Sequence, residues 1–219
     1  MSIDPSSIVY FEYGYIKITA TLVFSWITIG ILTAVILVIT RKLRTKNQIM
    51  MGQNIAEFLV VGIEEQIKGI IRNNPKKYIP FIGTLFIFIL ASNILSVIPG
   101  YIAPTGSINT TIALSVCVFF AVPFYGISSR GFLDYLKQYT KPSILMLPFN
   151  IIGEISRTIS LAVRLYGNVM SSSIIIAILL GVIPLLFPVV IQVLGLLTGV
   201  IQAYIFAILA AVYIASAVK

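Results

Sequence analysis

Histidine is absent from all 219 residues. Its absence removes Ser-His-Asp and Cys-His catalysis, imidazole metal ligation and the commonest proton-relay side chain. Cysteine occurs once, as Cys117 in an apolar stretch, so no intramolecular disulfide can form and no CxxC or Cys/His cluster is available for zinc. Charge is scarce as well. Asp, Glu, Lys and Arg make up 10% of the chain, against roughly a quarter in globular domains. What fills the space is apolar: 58% of residues are hydrophobic and the mean hydropathy is +1.04, the composition of an integral membrane protein. The net charge of +8 is read as a topology signal rather than as nucleic-acid binding, because Lys and Arg are retained on the cytoplasmic side of membrane proteins. Met1 to Gly14 carries Asp4 and Glu12 but no basic residue, so it lacks the charged start of a cleavable signal peptide and reads as a mature end.

A membrane helix needs about 20 apolar residues. The first candidate, 15–40, stops at Arg41-Lys42-Leu43-Arg44-Thr45-Lys46, a basic run that places this end in the cytoplasm and the N-terminus outside. Over 47–78, Ile55, Phe58, Leu59, Ile63, Ile67, Ile70 and Ile71 recur at three- and four-residue spacing among Glu57, Glu64, Glu65, Lys68 and Arg72. That pattern predicts an amphipathic helix, either lying in the cytoplasmic interface or packed as a solvated helix on a partner. Pro80 opens a helical hairpin over 80–128, with an uncharged Gly- and Pro-containing loop near Pro99 to Ser107 placed outside and Arg130, Asp134, Lys137 and Lys141 following inside. From 143 to 218 the chain is apolar, broken chiefly by Pro184 and Pro188, and Lys219 falls inside. The expected fold is an all-α integral membrane protein of a single domain, 1–219. It has about five membrane helices plus the cytoplasmic-side amphipathic helix.

The segment 143–183 would be roughly 60 Å long as one helix, twice the hydrocarbon thickness. Isolated Gly153 and Gly167 are tolerated in membrane helices, so one strongly tilted helix is expected rather than two short ones. Glu154, Arg157 and Arg164 are the only charges between Lys141 and Lys219. At about 100° per residue Arg157 and Arg164 nearly align, Ser160, Asn168 and Ser171 continue the stripe, and Glu154 lies on its flank. On the returning helix Gln192, Gly195, Gly199 and Gln202 form a stripe of small residues and amides that admits a close neighbour. Glu154 and Arg157, one turn apart, can pair structurally. Arg164 has no well-placed acid in this hairpin, and an arginine at mid-span costs about 2.5–3.5 kcal/mol on insertion scales and cannot shed its proton.

Ser160-Leu161-Ala162-Val163-Arg164-Leu165-Tyr166-Gly167-Asn168 resembles the S-L-x-x-R-L-[FY]-G-N signature of the a subunit of F-type rotary ATP synthases. The likeness extends to Asn109-Thr110-Thr111, Leu147-Pro148-Phe149-Asn150 and Gln202-Ala203-Tyr204-Ile205-Phe206, and covers most of the chain from Tyr15 onward. It implies a stator subunit of a bacterial plasma (inner) membrane, non-catalytic by itself and without a bound cofactor. Such a subunit sits beside a c-subunit ring, with b-type peripheral stalk subunits and the lipid bilayer as further partners. It implies two offset half-channels for H+ or Na+, with Arg164 facing the ring carboxylate. Gln202, Asn168, Glu154, Ser171, Ser173, Gln192 and Arg157 become candidates for the ion path, Gly195 and Gly199 for close packing against the rotor, and the last two helices are expected to tilt steeply.

Two positions depart from the pattern. Many members carry Glu or His nine residues after the arginine and His or Glu seven before the glutamine; here these are Ser173 and Gly195. Hydroxyls and amides can replace the water around a hard cation, so both H+ and Na+ coupling stay open. The readings from other classes are a secondary transporter or channel with an intramembrane Arg site, and a structural anchor whose polar residues only bind helices together. The transporter reading lacks the inverted repeats and paired broken helices common to such folds.

Overall fold

The structure, a computed structural model, describes residues 9–13, 16–41, 51–71, 75–98, 100–132, 135, 146–182 and 187–218. Lys42 to Lys46, Asn73, Asn74, Pro99, Asp134, Lys137, Lys141, Pro184 and Lys219, on which much of the expected sidedness rests, lie outside these residues.

The first span does not begin at Tyr15. Strands β1 (Val9–Tyr13) and β2 (Ile16–Thr19) pair antiparallel, with Tyr13 opposite Ile16 and an irregularity between Val9 and Phe11. The segment is rich in β-branched and aromatic residues, which favour a pleated ladder over a helical turn. Helix α1 therefore starts at Ala20 and runs to Arg41. The all-helical expectation holds, with this one short hairpin added before the first helix.

Helix α2 (Met51–Ile70) buries Ile67, and Ile71 beyond its end, and exposes Glu65 and Lys68 as expected, but Phe58, which the spacing assigns to the apolar face, is exposed. Helix α3 (Ile79–Leu95) opens with Pro80 in its first turn, where the missing N–H has no intrahelical partner in any case. Its 17 residues give about 26 Å, a little short of the hydrocarbon core. It stops at Leu95, before the expected Pro99, and Val97 and Ile98 turn back onto the carbonyls of Ile94 and Leu95. A short 3-10 turn (Pro104–Gly106) leads into α4 (Ile108–Arg130), which ends at Gly131. At φ +91° Gly131 adopts a conformation that side chains disfavour, and its N–H caps the helix on Ile127 O at 2.8 Å.

Helix α5 (Met146–Val182) is unbroken for 37 residues, about 56 Å, with Gly153 and Gly167 absorbed as expected. Helix α6 (Phe187–Val218) adds 32 residues. Four of these helices, α1, α4, α5 and α6, are long and apolar enough to cross a membrane.

Helix α6 is the centre of the bundle. Ala203, Phe206, Ala207, Ala210, Ala211, Ile214 and Ala215 are buried along it, with α3, α4 and α5 packed around. Alanines at these contacts let backbones approach closely, which in an apolar solvent is what drives helices together. Leu161 and Leu165 turn the inner face of α5 into the same core. The outer face of α5 is bare: only 6% of its apolar window is buried.

Candidate functional site

The register of α5 against α6 orders the site. Near one end, the Arg157 guanidinium stands over the Tyr213 ring, 5.6 Å from its centroid. Near the other, a Cβ added to Gly195 would lie 3.2 Å from Ser172 Cβ and Oγ. Counting along the antiparallel pair from either contact brings Arg164 level with Ala203 to Phe206, next to Gln202. Three polar groups thus lie in sequence along the hairpin.

The first is a cavity of about 290 Å³ beside the loop that joins α3 to α4. Its polar lining is Asn93, Ser96, Tyr101, Ser172, Ser173 and Gln192, and Gly195 forms part of the wall. Gln192 Nε2 donates to Val97 O at 3.2 Å, tying α6 to the end of α3. Burial pushes the Tyr101 phenol above its ordinary pKa, so it keeps its proton and can donate to Thr28 Oγ1, whose own proton goes to Phe24 O. At the inner end Asn93, 3% exposed, donates through Nδ2 to Gly199 O at 2.8 Å and accepts from Thr105 Oγ1 at 3.2 Å. The orientation of this amide is forced, because a backbone carbonyl can only accept. Any Cβ at position 199 would sit 3.1 Å from Asn93 Cβ, Cγ and Nδ2, so the contact depends on glycine.

The second group is Arg164 with Gln202. Gln202 is 5% exposed, and its Nε2 has no hydrogen-bond partner among the described residues. Arg164 is exposed on the bare face of α5, with no ion pair or hydrogen bond among the described residues. Arg157, Ser160 and Ser171 share that exposure and Asn168 is half-buried beside them, so the expected stripe is one surface. The third group lines a small cavity of about 20 Å³ between α4, α5 and α6: Glu154, Arg157, Thr158, Tyr213 and Ser216.

Not every predicted residue joins its neighbours. Ser173 follows Arg164 by nine residues, which at about 100° each turns it to the opposite side of the helix. It faces the first cavity with Ser172 and Gln192, whereas Ser171 stays on the arginine face. The sequence reading offers Gly195 and Gly199 to the rotor; the structure sets Ser172 of α5 and Asn93 of α3 against them, inside the same chain. Asn93, Ser96, Tyr101, Thr105, Tyr213 and Ser216 were missed. The signal for Asn93 and Ser96 was available: polar side chains within or ending an apolar span are expensive unless they have a task.

A metal site is not among these groups, since the described residues contain no cluster of three or more His, Cys, Asp or Glu. Comparison with known proteins identifies the family. Residues 22–215 match the family model described as ATP synthase A chain. ATP synthase subunit a 2 of Acaryochloris marina is 56% identical over 217 residues, 99% of this chain and 93% of that one. ATP synthase subunit a of Albidiferax ferrireducens is 52% identical, covering 100% of this chain and 95% of its own, and that of Nitrosospira multiformis is 48% identical, covering 99% and 86%. These matches disfavour the secondary-transporter reading. The chain belongs to the ATP synthase A chain family, the stator ion-channel subunits of F-type ATP synthases.

Proposed function

We propose that Arg164 is the fixed charge that meets, one after another, the ion-binding carboxylates of a rotating c-subunit ring. The observation that carries this reading is its position: a guanidinium half-way along the longest helix, on a face that no described part of the chain covers. A carboxylate brought to that face offsets the cost of an arginine at mid-span. In return the positive charge favours the ionised acid, so the coupling ion is released as each carboxylate arrives, and ions are kept from leaking straight past. An acid fixed beside Arg164 in its own chain would compete with the ring.

The other two groups supply access from opposite sides. The larger cavity, with Ser173 and Gln192, is the external half-channel, and the cluster of Glu154, Arg157 and Tyr213 borders the cytoplasmic one. Gln202 and Asn168 stand beside the arginine between them, and Ser171 extends the rotor-facing stripe. The residues 1–219 act as one membrane domain of five crossing helices, with α2 at the cytoplasmic interface, the N-terminus outside and the C-terminus inside a bacterial plasma membrane. Helices α5 and α6, at about 56 and 48 Å, cross it steeply tilted. The b-type stalk subunits hold the chain against the ring.

The larger cavity favours Na+ over H+ as the coupling ion. Among the described residues its lining contains hydroxyls and amides but no carboxylate and no imidazole, groups a proton path would ordinarily use. The central test is a purified Arg164→Ala complex, expected to assemble and to build no ATP-driven ion gradient; a gradient of normal size would refute the role. For the ion, Na+ is expected to protect the ring carboxylate from carbodiimide labelling and to accumulate in vesicles on ATP addition. Labelling indifferent to Na+ at neutral pH would turn the assignment to H+.

A further inference from the structure

Helix α2 is tied to the bundle mainly at one end. Ile67 and Ile71 are buried there, yet Phe58, on the apolar side of the same helix, is 77% exposed. Between them lies a cavity of about 220 Å³, walled by Ile63, Ile67 and Ile70 of α2, Ile82 and Phe86 of α3 and Ala207 of α6. Phe58 lines it too and, being exposed, marks its mouth. Gln66 and Tyr204 are the only polar side chains in the lining among the described residues. A Cβ added to Gly62, another lining residue, would meet no atom within 4 Å, so the wall there faces open space. None of these residues lines either cavity assigned to the ion path. The turn Pro75–Lys77 joins the two walls, between Ile70 and Ile82, and carries the exposed Lys76 and Lys77. Lys77 Nζ donates to Ser128 Oγ at 2.7 Å, and Lys68 is held by Glu64. Lys76 has no hydrogen bond or ion pair among the described residues. It is within electrostatic reach of α2: the Glu64 carboxyl, held below its ordinary value chiefly by the Lys68 hydrogen bond and charge, is drawn down further by Lys76.

We propose that this cavity binds one acyl chain of an anionic phospholipid of the cytoplasmic leaflet, with Lys76 at the headgroup. The proposal rests on the interfacial placement of α2 and on no residue of the ion path. Size and chemistry select the occupant. An α-helix with its side chains is about 10–12 Å across and rises 5.4 Å per turn, so a single turn fills roughly 500 Å³ and no partner helix enters. Water is disfavoured, because a cavity of roughly 150 Å³ lined by apolar side chains stays dry yet accepts a hydrocarbon. Ile82 and Phe86 stand in the first two turns of α3, just inside the turn that carries the lysines, which is where acyl chains begin beneath their headgroups. A lysine at such a surface favours anionic lipid about fivefold. An acyl chain in this place completes the contact of α2 with α3 and α6 that Ile67 begins.

The experiment uses the holoenzyme in phosphatidylcholine vesicles with a minor fraction of phosphatidylglycerol, one or the other lipid carrying a photoreactive diazirine on an acyl chain. Mass spectrometry locates the labelled residues, and Trp26 of α1, 75% exposed, reports bulk lipid. Labelling of Ile63, Ile82 and Phe86 relative to Trp26 is expected to be about fivefold greater with the phosphatidylglycerol probe. Lys76→Gln should bring the two probes close to parity. Gly62→Phe, which sets a ring in the open space, should remove most of the label from Ile82 and Phe86 and leave Trp26 unchanged. If that variant does not assemble, Lys76→Gln, at an exposed position, carries the test. Equal preference at the cavity and at Trp26 in the unaltered enzyme would mean bulk lipid only and overturn the site. An unlabelled cavity beside a labelled Phe58, the result expected if protein fills it, would overturn it as well. Absence of label from Phe58 too would overturn the site together with the interfacial placement of α2. None of these outcomes bears on Arg164, whose variant is read by transport.

Discussion

From Phe187 to Gly199, α6 runs past a cavity of about 290 Å³ walled by serines and amides, whereas from Ala203 to Ala217 one face of the same helix is buried among Leu85, Val118, Leu161 and their neighbours, and the cavity of about 220 Å³ beside Tyr204, Ala207, Ile208 and Ala211 is lined almost wholly by apolar side chains. The first stretch keeps room for water and an ion. The second uses six buried alanines to bring helices into contact, and Arg130 Nε closes its end by donating to Val218 O at 3.0 Å. A stator must do both things. In the role proposed for Arg164, it has to hold one arginine still against a moving partner, which needs dense packing, and to hydrate a path to that arginine, which needs a gap. The boundary is the Asn93 to Gly199 contact, one turn short of Gln202.

The comparison can be broken most severely at the level between the two regions. Arg164→Ala is expected to abolish coupled transport, a loss of about a hundredfold or more, while the complex still assembles. Arg164→Lys should fall nearly as far, because a point-like ammonium on a shorter reach does not replace a planar guanidinium. Transport assays on purified complex, with subunit composition checked in parallel, decide both.

Overpacking the sealed end comes next. Ala210 is 0% exposed, and Ala210→Phe should destabilise the subunit by about 1–3 kcal/mol, read as a lower temperature of detergent-induced aggregation. A comparable enlargement beside the open end, Ser173→Phe, should leave that temperature nearer its original value and act on transport. Equal effects on stability would deny that the two ends differ in packing.

Removing the boundary is milder. Asn93→Leu leaves Thr105 Oγ1 without its acceptor and loosens α6 from α3; interhelical polar contacts in membranes average about 0.6 kcal/mol, so a loss of that order is expected. Gly199→Ala should produce a similar change through its 3.1 Å approach to Asn93, and the double variant should lose less than the sum.

The smallest effect belongs to α2, outside both regions. Lys68 Nζ lies 2.8 Å from Glu64 Oε1, and this hydrogen bond, with the lysine charge, holds the Glu64 carboxyl below its ordinary value of 4.5. A lowered folded-state pKa contributes stability above the unfolded value and loses it as pH falls through the folded one. Glu64→Gln should therefore remove a slight acid-side dependence of stability and nothing at neutral pH beyond a weak surface pair. A marked change in transport would place α2 in the path.

Much of the fold was legible because its signals are local. The period of Ile63, Ile67 and Ile70 marks α2 as two-faced, and the absence of a breaker between Asn150 and Gly181 keeps α5 whole. Arg164 stood out for the same kind of reason: the cost of a charge in an apolar helix depends on its immediate surroundings. The strands β1 and β2 were lost because Ile16 and Ile18 are as apolar as the helix that follows, and hydropathy alone does not tell a strand from the first turn of a span. The shortness of α3 escaped similarly, since Ser96 to Ile98 continue an apolar run after the helix has ended.

By itself, the sequence determined that this chain lives in a membrane, which stripe of α5 is polar, and that Arg164 requires a partner from elsewhere; each follows from composition or from helical spacing. Only the tertiary structure decided what surrounds Ser173 and Gly195. Asn93 reaches Gly199 across 106 positions and Gln192 reaches Val97 across 95, and no periodicity encodes such contacts. They depend on how far three helices slide along one another, and that sliding is settled by the packing of side chains around α6. The serine protons are a local matter, since Ser172 and Ser173 each donate to the carbonyl four residues back in their own helix; that these hydroxyls face Gln192 and Tyr101 across one cavity exists only once the helices are in place.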